Sequence, residues 1–404
     1  MIFPQLDALA LNLSALETQG LRRARRTVES VSQGYMVVDG SRLLTFNSND
    51  YLGLASHPQV VEALKEGASW YGAGSGASHL VSGHSQAHDR LEELLAMFLW
   101  PHLPSVRALY FSTGYMANLG VLTALAGTSS GDISFFSDQL NHASLIDGIR
   151  LTREPFHIYP HADIADLSLK LSSCQSGTKV VVTDGVFSMD GDIAPVAALA
   201  KLAQAESAWF VVDDAHGLGV VGAEGRGVCE QQHLDQKAVP ILIGTFGKAL
   251  GTFGAFVAGE SALIEWLIQS ARTYIYTTAL PPPIAAATRR ALQLVDQERW
   301  RREKLHELIQ LFRDGAQRRG IVVMPSMTAI QPVVCGSSAM ALQASAYLRD
   351  HGFHVAAIRP PTVPEGSARL RITLNAHHQA DEVERLLAAL EGAISHALKT
   401  ETST

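Results

Sequence analysis

The chain has 404 residues, 47% of them hydrophobic and 18% charged, with a formal net charge of −7 and 33 glycines. That composition is too apolar for disorder, and the length suffices for roughly two or three units that each bury a core. A mildly acidic chain gains little from counterion release, no apolar run approaches the roughly 18 residues of a membrane span, and a start carrying Asp7 and Glu17 does not read as a secretory signal; no nucleic acid or membrane partner and a cytoplasmic location are therefore expected.

Leu6, Leu9, Leu13 and Leu16 recur at helical spacing and predict an N-terminal helix and arm over residues 1–58. Arg22, Arg23, Arg25 and Arg26 follow; they either complement the dipole at that helix's C-terminus or recognise an anion. From Gln59 onward, strand-like runs at 108–111, 133–136, 179–183, 209–213, 241–245 and 255–258 alternate with helical patterns such as 86–98 and 195–206. Several runs are apolar on both faces, as in a sheet covered by helices on each side. The expected class is α/β, with a mostly parallel, doubly wound sheet in a large domain over 59–285. After Pro281, Pro282 and Pro283, a long helical pattern covers 289–319. Strand-like pieces at 321–323, 331–334 and 370–374 then surround a helix near 339–349, predicting a smaller C-terminal α+β domain over 286–404. Cys174, Cys229 and Cys335 are scattered and odd in number, which fits reduced structural thiols rather than a disulfide framework or a cysteine metal site.

Only eight lysines stand against 24 arginines, and Lys248 alone lies among glycines directly after an apolar strand, in Gly244-Thr245-Phe246-Gly247-Lys248-Ala249-Leu250-Gly251. A partly desolvated lysine is a nucleophile toward carbonyls, the chemistry of a Schiff base. Its spacing is too short for a phosphate-binding loop of the nucleotide type, and Ala249 stands where Ser or Thr is required. Asp213, in Val211-Val212-Asp213-Asp214-Ala215-His216-Gly217, closes another strand. An acid there can hold a pyridinium nitrogen protonated and turn the ring into an electron sink. Gly217-Leu218-Gly219-Val220-Val221-Gly222 formally matches a dinucleotide pattern and supports an NAD-dependent oxidoreductase as a remote alternative. Gly225 and Gly227, however, are poor helix formers where the pyrophosphate needs a helix start. Phe111-Ser112-Thr113-Gly114-Tyr115-Met116-Ala117-Asn118 is either an ordinary capped strand-to-helix turn or a phosphate seat at a helix N-terminus. His84 and His88 have i,i+4 spacing, but no third ligand is apparent and no metal is expected.

Taken in order, these stretches, together with Asn47-Ser48-Asn49-Asp50-Tyr51-Leu52-Gly53-Leu54, Asn141-His142-Ala143-Ser144, Thr183-Asp184-Gly185-Val186-Phe187-Ser188-Met189-Asp190-Gly191-Asp192 and Arg359-Pro360-Pro361-Thr362-Val363-Pro364, resemble the α-oxoamine synthases. These are pyridoxal-phosphate enzymes of the aminotransferase fold type I, and the likeness runs from Arg22 to Leu387. The resemblance implies pyridoxal 5'-phosphate as cofactor, with Lys248 as covalent anchor and acid/base, Asp213 at the pyridine nitrogen and His142 stacked on the ring. His216 and Ser188 would lie near the phenolic oxygen. Thr245 and the backbone of Gly114 and Tyr115 would hold the phosphate, with Thr277 and Thr278 contributing across the interface of a homodimer with shared active sites. Arg359, assisted by Asn49, would bind an amino-acid carboxylate, and Arg22 or its neighbour Arg23 the distal carboxylate of an acyl chain. Ser78-His79-Leu80-Val81-Ser82-Gly83-His84-Ser85 is similar to the branch that condenses L-alanine with a pimeloyl thioester, carried by coenzyme A or acyl carrier protein, in biotin biosynthesis. Relatives that use glycine usually carry Gly-Thr where this chain has Gly83-His84. A synthase using glycine or serine, such as glycine C-acetyltransferase, is the alternative.

Overall fold

The computed structural model describes residues 4–128 and 131–401, which form two compact units. The larger takes residues 49–188 and 192–303; the smaller takes the described residues up to Ser48, the short piece 189–191, and the chain from Lys304 onward.

Seven strands build the sheet of the larger unit: β1 (Val106–Phe111), β2 (Ile133–Asp138), β3 (Phe156–Tyr159), β4 (Thr178–Asp184), β5 (Trp209–Asp213), β6 (Ile241–Thr245) and β7 (Ala255–Glu260). Their order is β1-β7-β6-β5-β4-β2-β3. Strands β6, β5, β4, β2 and β3 are parallel, whereas β7 runs antiparallel to both β1 and β6, so that Ala255 faces Phe111 on one side and Thr245 on the other. Val180, Val182, Val211, Ile241 and Ile243 point into a core shared with Val121, Leu122, Leu145 and Ile149 of the covering helices and with Ile264 and Leu267. Each such side chain contributes about 1.5–3 kcal/mol on full burial, which is why these strands read as continuous apolar runs. Strands β2, β4 and β5 share one direction and end in Asp138, Asp184 and Asp213, while β6 ends in Thr245. The parallel register thus delivers three carboxyl groups and a hydroxyl to one edge of the sheet, the edge where open α/β sheets bind ligands.

The smaller unit joins both ends of the chain. Val28–Ser32, Tyr35–Val38 and Ser41–Thr45 form an antiparallel meander, to which Phe353–His354 adds in parallel. Ile330–Gly336, Ala368–Thr373 and Ala356–Ile358 form a second, antiparallel sheet, and the helices Ser338–Asp350 and Ala380–Glu401 pack against each other beside it.

These pairings move the expected boundaries. Residues 28–45 belong with the C-terminal unit because their sheet is completed by Phe353–His354. The helix Pro282–Gln297 belongs with the larger unit because it lies along the helix Pro58–Tyr71, so closely that a Cβ on Gly67 would stand 2.8 Å from Pro283 Cα. The single helix expected over 289–319 is two, Pro282–Gln297 and Trp300–Arg318, and Arg301 turns back across the break to donate to Glu298 at 2.6 Å. Of the strand expected at 321–323, only an isolated bridge from Val323 to Val333 forms. The N-terminal helix covers Pro4–Thr18 and has no basic residue in its last turn. Arg22 to Arg26 lie beyond it, after Gly20 at φ +65°, so they do not complement its dipole. Among the described residues no helix is long and apolar enough to cross a membrane.

Candidate active site

Asp213, only 5% exposed, ends β5 with both carboxylate oxygens accepting: Oδ2 from Asn118 Nδ2 at 2.6 Å and Oδ1 from the Ala215 N–H at 3.0 Å. Asn118 is fully buried in the helix Gly114–Ala126, and its nitrogen also donates to Ser144 Oγ at 2.7 Å. Ser144 Oγ lies 2.7 Å from His142 Nδ1, which also accepts the Ser144 N–H at 3.2 Å. A backbone donor fixes the tautomer, with the His142 proton on Nε2 and the Ser144 hydroxyl donating to Nδ1. One chain of hydrogen bonds therefore runs Asp213, Asn118, Ser144, His142, the first three buried, and each end holds the other in place.

His142 caps the helix Ala143–Thr152, and its own N–H donates to Asp184 Oδ2 at 2.6 Å. Burial lowers its pKa below the ordinary imidazole value; Asp213 opposes that shift and Lys248 adds to it, which places all three side chains within electrostatic reach of one another. Asp184 is pushed well above the carboxylate range by burial and then by Asp213, with Lys248 among the groups pulling it back. Its N–H donates to Asn141 Oδ1 at 2.9 Å, and Asn141 Nδ2 reaches the Val182 carbonyl at 2.9 Å. The loop carrying His142 is thus clamped to β4 by two residues.

Asp214, next to Asp213, accepts the Val228 N–H at 2.8 Å, and burial pushes its carboxyl up to about 8. The chain from Gly217 to Gly227 wraps tightly around it. A Cβ would stand 2.0 Å from Asp214 Oδ1 at Gly217 and 1.8 Å from Oδ2 at Gly227, where φ is +89°, so both positions require glycine. After Gly222 the backbone turns, and the next helix, Val228–Gln231, has four residues. No helix starts directly after Gly222, and the one-turn helix that follows after five more residues is too short to seat a pyrophosphate, which removes the physical basis of a dinucleotide site there.

His216 Nδ1 lies 2.5 Å from the Tyr51 hydroxyl, which in turn reaches Asn49 Oδ1 at 3.4 Å. Lys248 is half-buried in the turn after β6; its carbonyl accepts the Gly251 N–H at 2.9 Å. Thr245 Oγ1 donates to the Gly254 carbonyl at 2.9 Å and accepts the Gly247 N–H at 3.3 Å, which fixes the turn from the strand side. In the helix Gly114–Ala126 the Thr113 cap takes the Met116 N–H at 3.1 Å. The N–H groups of Gly114 and Tyr115 have no intrahelical acceptor, as in any first turn, and a Cβ on Gly114 would meet nothing within 4 Å. That open, positively polarised end suits a phosphate.

Ser188 is half-buried directly after Phe187, and Thr278 pairs with Ser78 in an isolated bridge, with Thr277 just before it. Arg22 and Arg359 belong to the smaller unit. There they line a cavity of about 840 Å³ together with Arg23, Arg26, Arg349 and His354. Arg22 pairs with Glu17 at 2.5 Å, Arg23 donates to Thr362 Oγ1 at 3.0 Å, and Arg359 donates to the Gly20 carbonyl.

Sequence reasoning assigned no role to Asn118, Ser144, Asn141 or Asp184, although each lies inside a stretch it singled out. A buried amide or hydroxyl has no distinctive spacing, and only the fold brings residue 118 to residue 213.

The aminotransferase class I and II family model matches residues 41–390. An 8-amino-7-oxononanoate synthase from Cellvibrio japonicus is 53% identical over 384 residues, 95% of each chain. The chain belongs to the aminotransferase class I and II family, on its 8-amino-7-oxononanoate synthase branch. Its fold agrees with solved members. A serine palmitoyltransferase from S. paucimobilis with a bound PLP–myriocin aldimine superposes with a TM-score of 0.90 at 29% identity, covering 98% of each chain. The 8-amino-7-oxononanoate synthase from Francisella tularensis superposes with a TM-score of 0.75 at 30% identity, covering 88% of this chain and 99% of that one.

Proposed function

We infer that this chain catalyses the pyridoxal-phosphate-dependent decarboxylative condensation of L-alanine with a pimeloyl thioester, giving 8-amino-7-oxononanoate, carbon dioxide and free thiol in biotin biosynthesis. The observation that carries the reading is the convergence of Asp213, His142 and Lys248 at one sheet edge, in a chain of this family.

The residues present suit the cofactor. Asp213, oriented by Asn118 and the Ala215 N–H, would accept the N–H of a pyridinium ring. His142, fixed in orientation by Ser144, would offer a flat ring face to a second ring. The Gly114 and Tyr115 N–H groups and the Thr245 hydroxyl provide phosphate donors, with Thr277 and Thr278 of a second copy completing them in a homodimer. His216, positioned by Tyr51, and Ser188 supply the polar contacts at the ring's oxygen. When bound, the cofactor supplies an electron sink for the carbon next to the substrate nitrogen.

Lys248 Nζ would hold the cofactor covalently, and the same amine would take the proton from alanine Cα and return one after carbon dioxide leaves. Arg359, with Asn49, binds the alanine carboxylate through its planar fork, and Arg22 or Arg23 binds the distal carboxylate of the pimeloyl chain. The acyl carrier is coenzyme A or acyl carrier protein. The expected location is the cytoplasm.

Borohydride reduction of the cofactor-loaded protein tests this directly. One pyridoxyl group is expected on Lys248, with loss of thiol release from pimeloyl-coenzyme A; a label on any other lysine overturns the assignment.

A further inference from the structure

Residues His79–Gly83 form one π-helical turn, closed by the Gly83 N–H donating to the Ser78 carbonyl at 2.9 Å. A Cβ on Gly83 would stand 2.1 Å from the Ala77 carbonyl oxygen, so the turn demands glycine. Its wide pitch brings His79 back over His84, with their Nδ1 atoms 2.9 Å apart. The helix Gln86–Leu99 then presents His88 beside them. The three ring centroids lie 5.1, 5.1 and 5.3 Å apart, and one ring nitrogen from each residue lies within 4.8 Å of the others.

The outward nitrogens settle which atoms face inward. His84 Nε2 meets Asp89 Oδ1 at 2.8 Å, and His88 Nε2 meets the Leu280 carbonyl at 2.9 Å. Both partners accept, so each Nε2 carries a proton and each Nδ1 keeps its lone pair; that of His84 is turned to His79, and that of His88 accepts the Ser85 N–H at 2.9 Å with Ser85 Oγ 3.1 Å away. A far-side N–H given to a carboxylate or a backbone carbonyl is the outer shell of metal-bound histidine, where it fixes tautomer and ring orientation. His79 is stacked on the Tyr274 ring at 4.7 Å. Two tetrahedral donors about 2.0–2.1 Å from one ion stand about 3.3 Å apart, so the pair now 2.9 Å apart need open by only about 0.4 Å to take one.

We propose that His79, His84 and His88 bind one divalent transition-metal ion of the imidazole-preferring class, Zn²⁺, Co²⁺ or Ni²⁺, with a water in the fourth position. Coordination replaces the proton shared by His79 and His84 and the Ser85 N–H contact of His88. The ion fastens the π turn to the start of the helix Gln86–Leu99, one residue from the bridge that holds Thr278. The three histidines are none of the residues assigned to the Lys248 chemistry, so the proposal stands whether or not the catalytic reading does. The sequence showed the His84 and His88 pair; the third ligand lies five residues before His84, a spacing that joins it only through the π turn.

Equilibrium dialysis of the chelator-washed, cofactor-loaded protein against Co²⁺ tests the proposal. The expected result is one Co²⁺ per chain with the visible absorption of four-coordinate cobalt, displaced by Zn²⁺. His84→Gln is expected to abolish that absorption. Asp89→Asn, on an exposed side chain, is expected to weaken binding about 10- to 100-fold while leaving the stoichiometry at one. Absence of Co²⁺ uptake by the parent protein overturns the proposal. So does uptake of undiminished affinity in both variants, which would place the ion on other histidines or thiols.

Discussion

Replacing Asn118 with alanine removes the link between Asp213 and His142. The lost side chain donates to Asp213 Oδ2 at 2.6 Å and to Ser144 Oγ at 2.7 Å, and it is fully buried, so water does not replace it. A hydrogen bond to a charged acceptor is worth about 1.5–3 kcal/mol and one between neutral groups about 0.5–1.5 kcal/mol. The variant is therefore expected to lose about 2–4 kcal/mol of stability. In a unit of this size each kcal/mol moves the melting temperature by about 2–4 °C, so the cofactor-free variant melts roughly 5–15 °C below the parent. Calorimetry at matched protein concentration measures the shift, and the histidine ring resonances report whether His142 has lost its fixed tautomer. A loss under about 0.5 kcal/mol, the range of ordinary surface substitutions, would refute the claim that this chain of bonds organises the site.

Lys248→Ala is expected to abolish turnover and the visible absorption of lysine-bound cofactor while leaving the melting transition of the cofactor-free protein in place; ordinary catalytic rates in that variant would remove Lys248 from the mechanism. Arg359→Ala is expected to raise the KM for alanine about 10- to 100-fold with a smaller change in kcat, because it deletes a charged contact and no proton-transfer group; an unchanged KM means that Arg359 is not the clamp. Asp214 has a folded pKa of about 8, above its unfolded value of 3.8, so its contribution to stability is complete below pH 4 and is lost as pH rises through 8. Urea unfolding across that window, compared with Asp214→Asn, is expected to show a steeper decline in the parent, and parallel profiles would contradict the assignment.

The sequence disclosed the larger sheet because burial on both faces leaves a plain mark. All its strands were visible except β3, an edge strand whose Phe156 and Ile158 are exposed and so resemble a loop. The meander at 28–45 escaped notice for the same reason, since all five residues of Val28–Ser32 are exposed. The break between Pro282–Gln297 and Trp300–Arg318 was hidden because both helices carry Arg and Leu, and only Glu298 and Arg299, with no Gly or Pro, stand between them. Within the site, Lys248 and Asp213 stood out by their position after apolar strands. Asn118 and Ser144 did not, because their meaning lies in hydrogen bonds across 95 and 26 residues of sequence.

Mixing the purified, pyridoxal-phosphate-loaded protein with pimeloyl-coenzyme A and either L-alanine or glycine, then following thiol release and identifying the amino ketone by mass, tests the central claim most directly. The account predicts alanine-dependent formation of 8-amino-7-oxononanoate. Thiol release with glycine alone would contradict it and assign the same lysine chemistry to a glycine-using synthase.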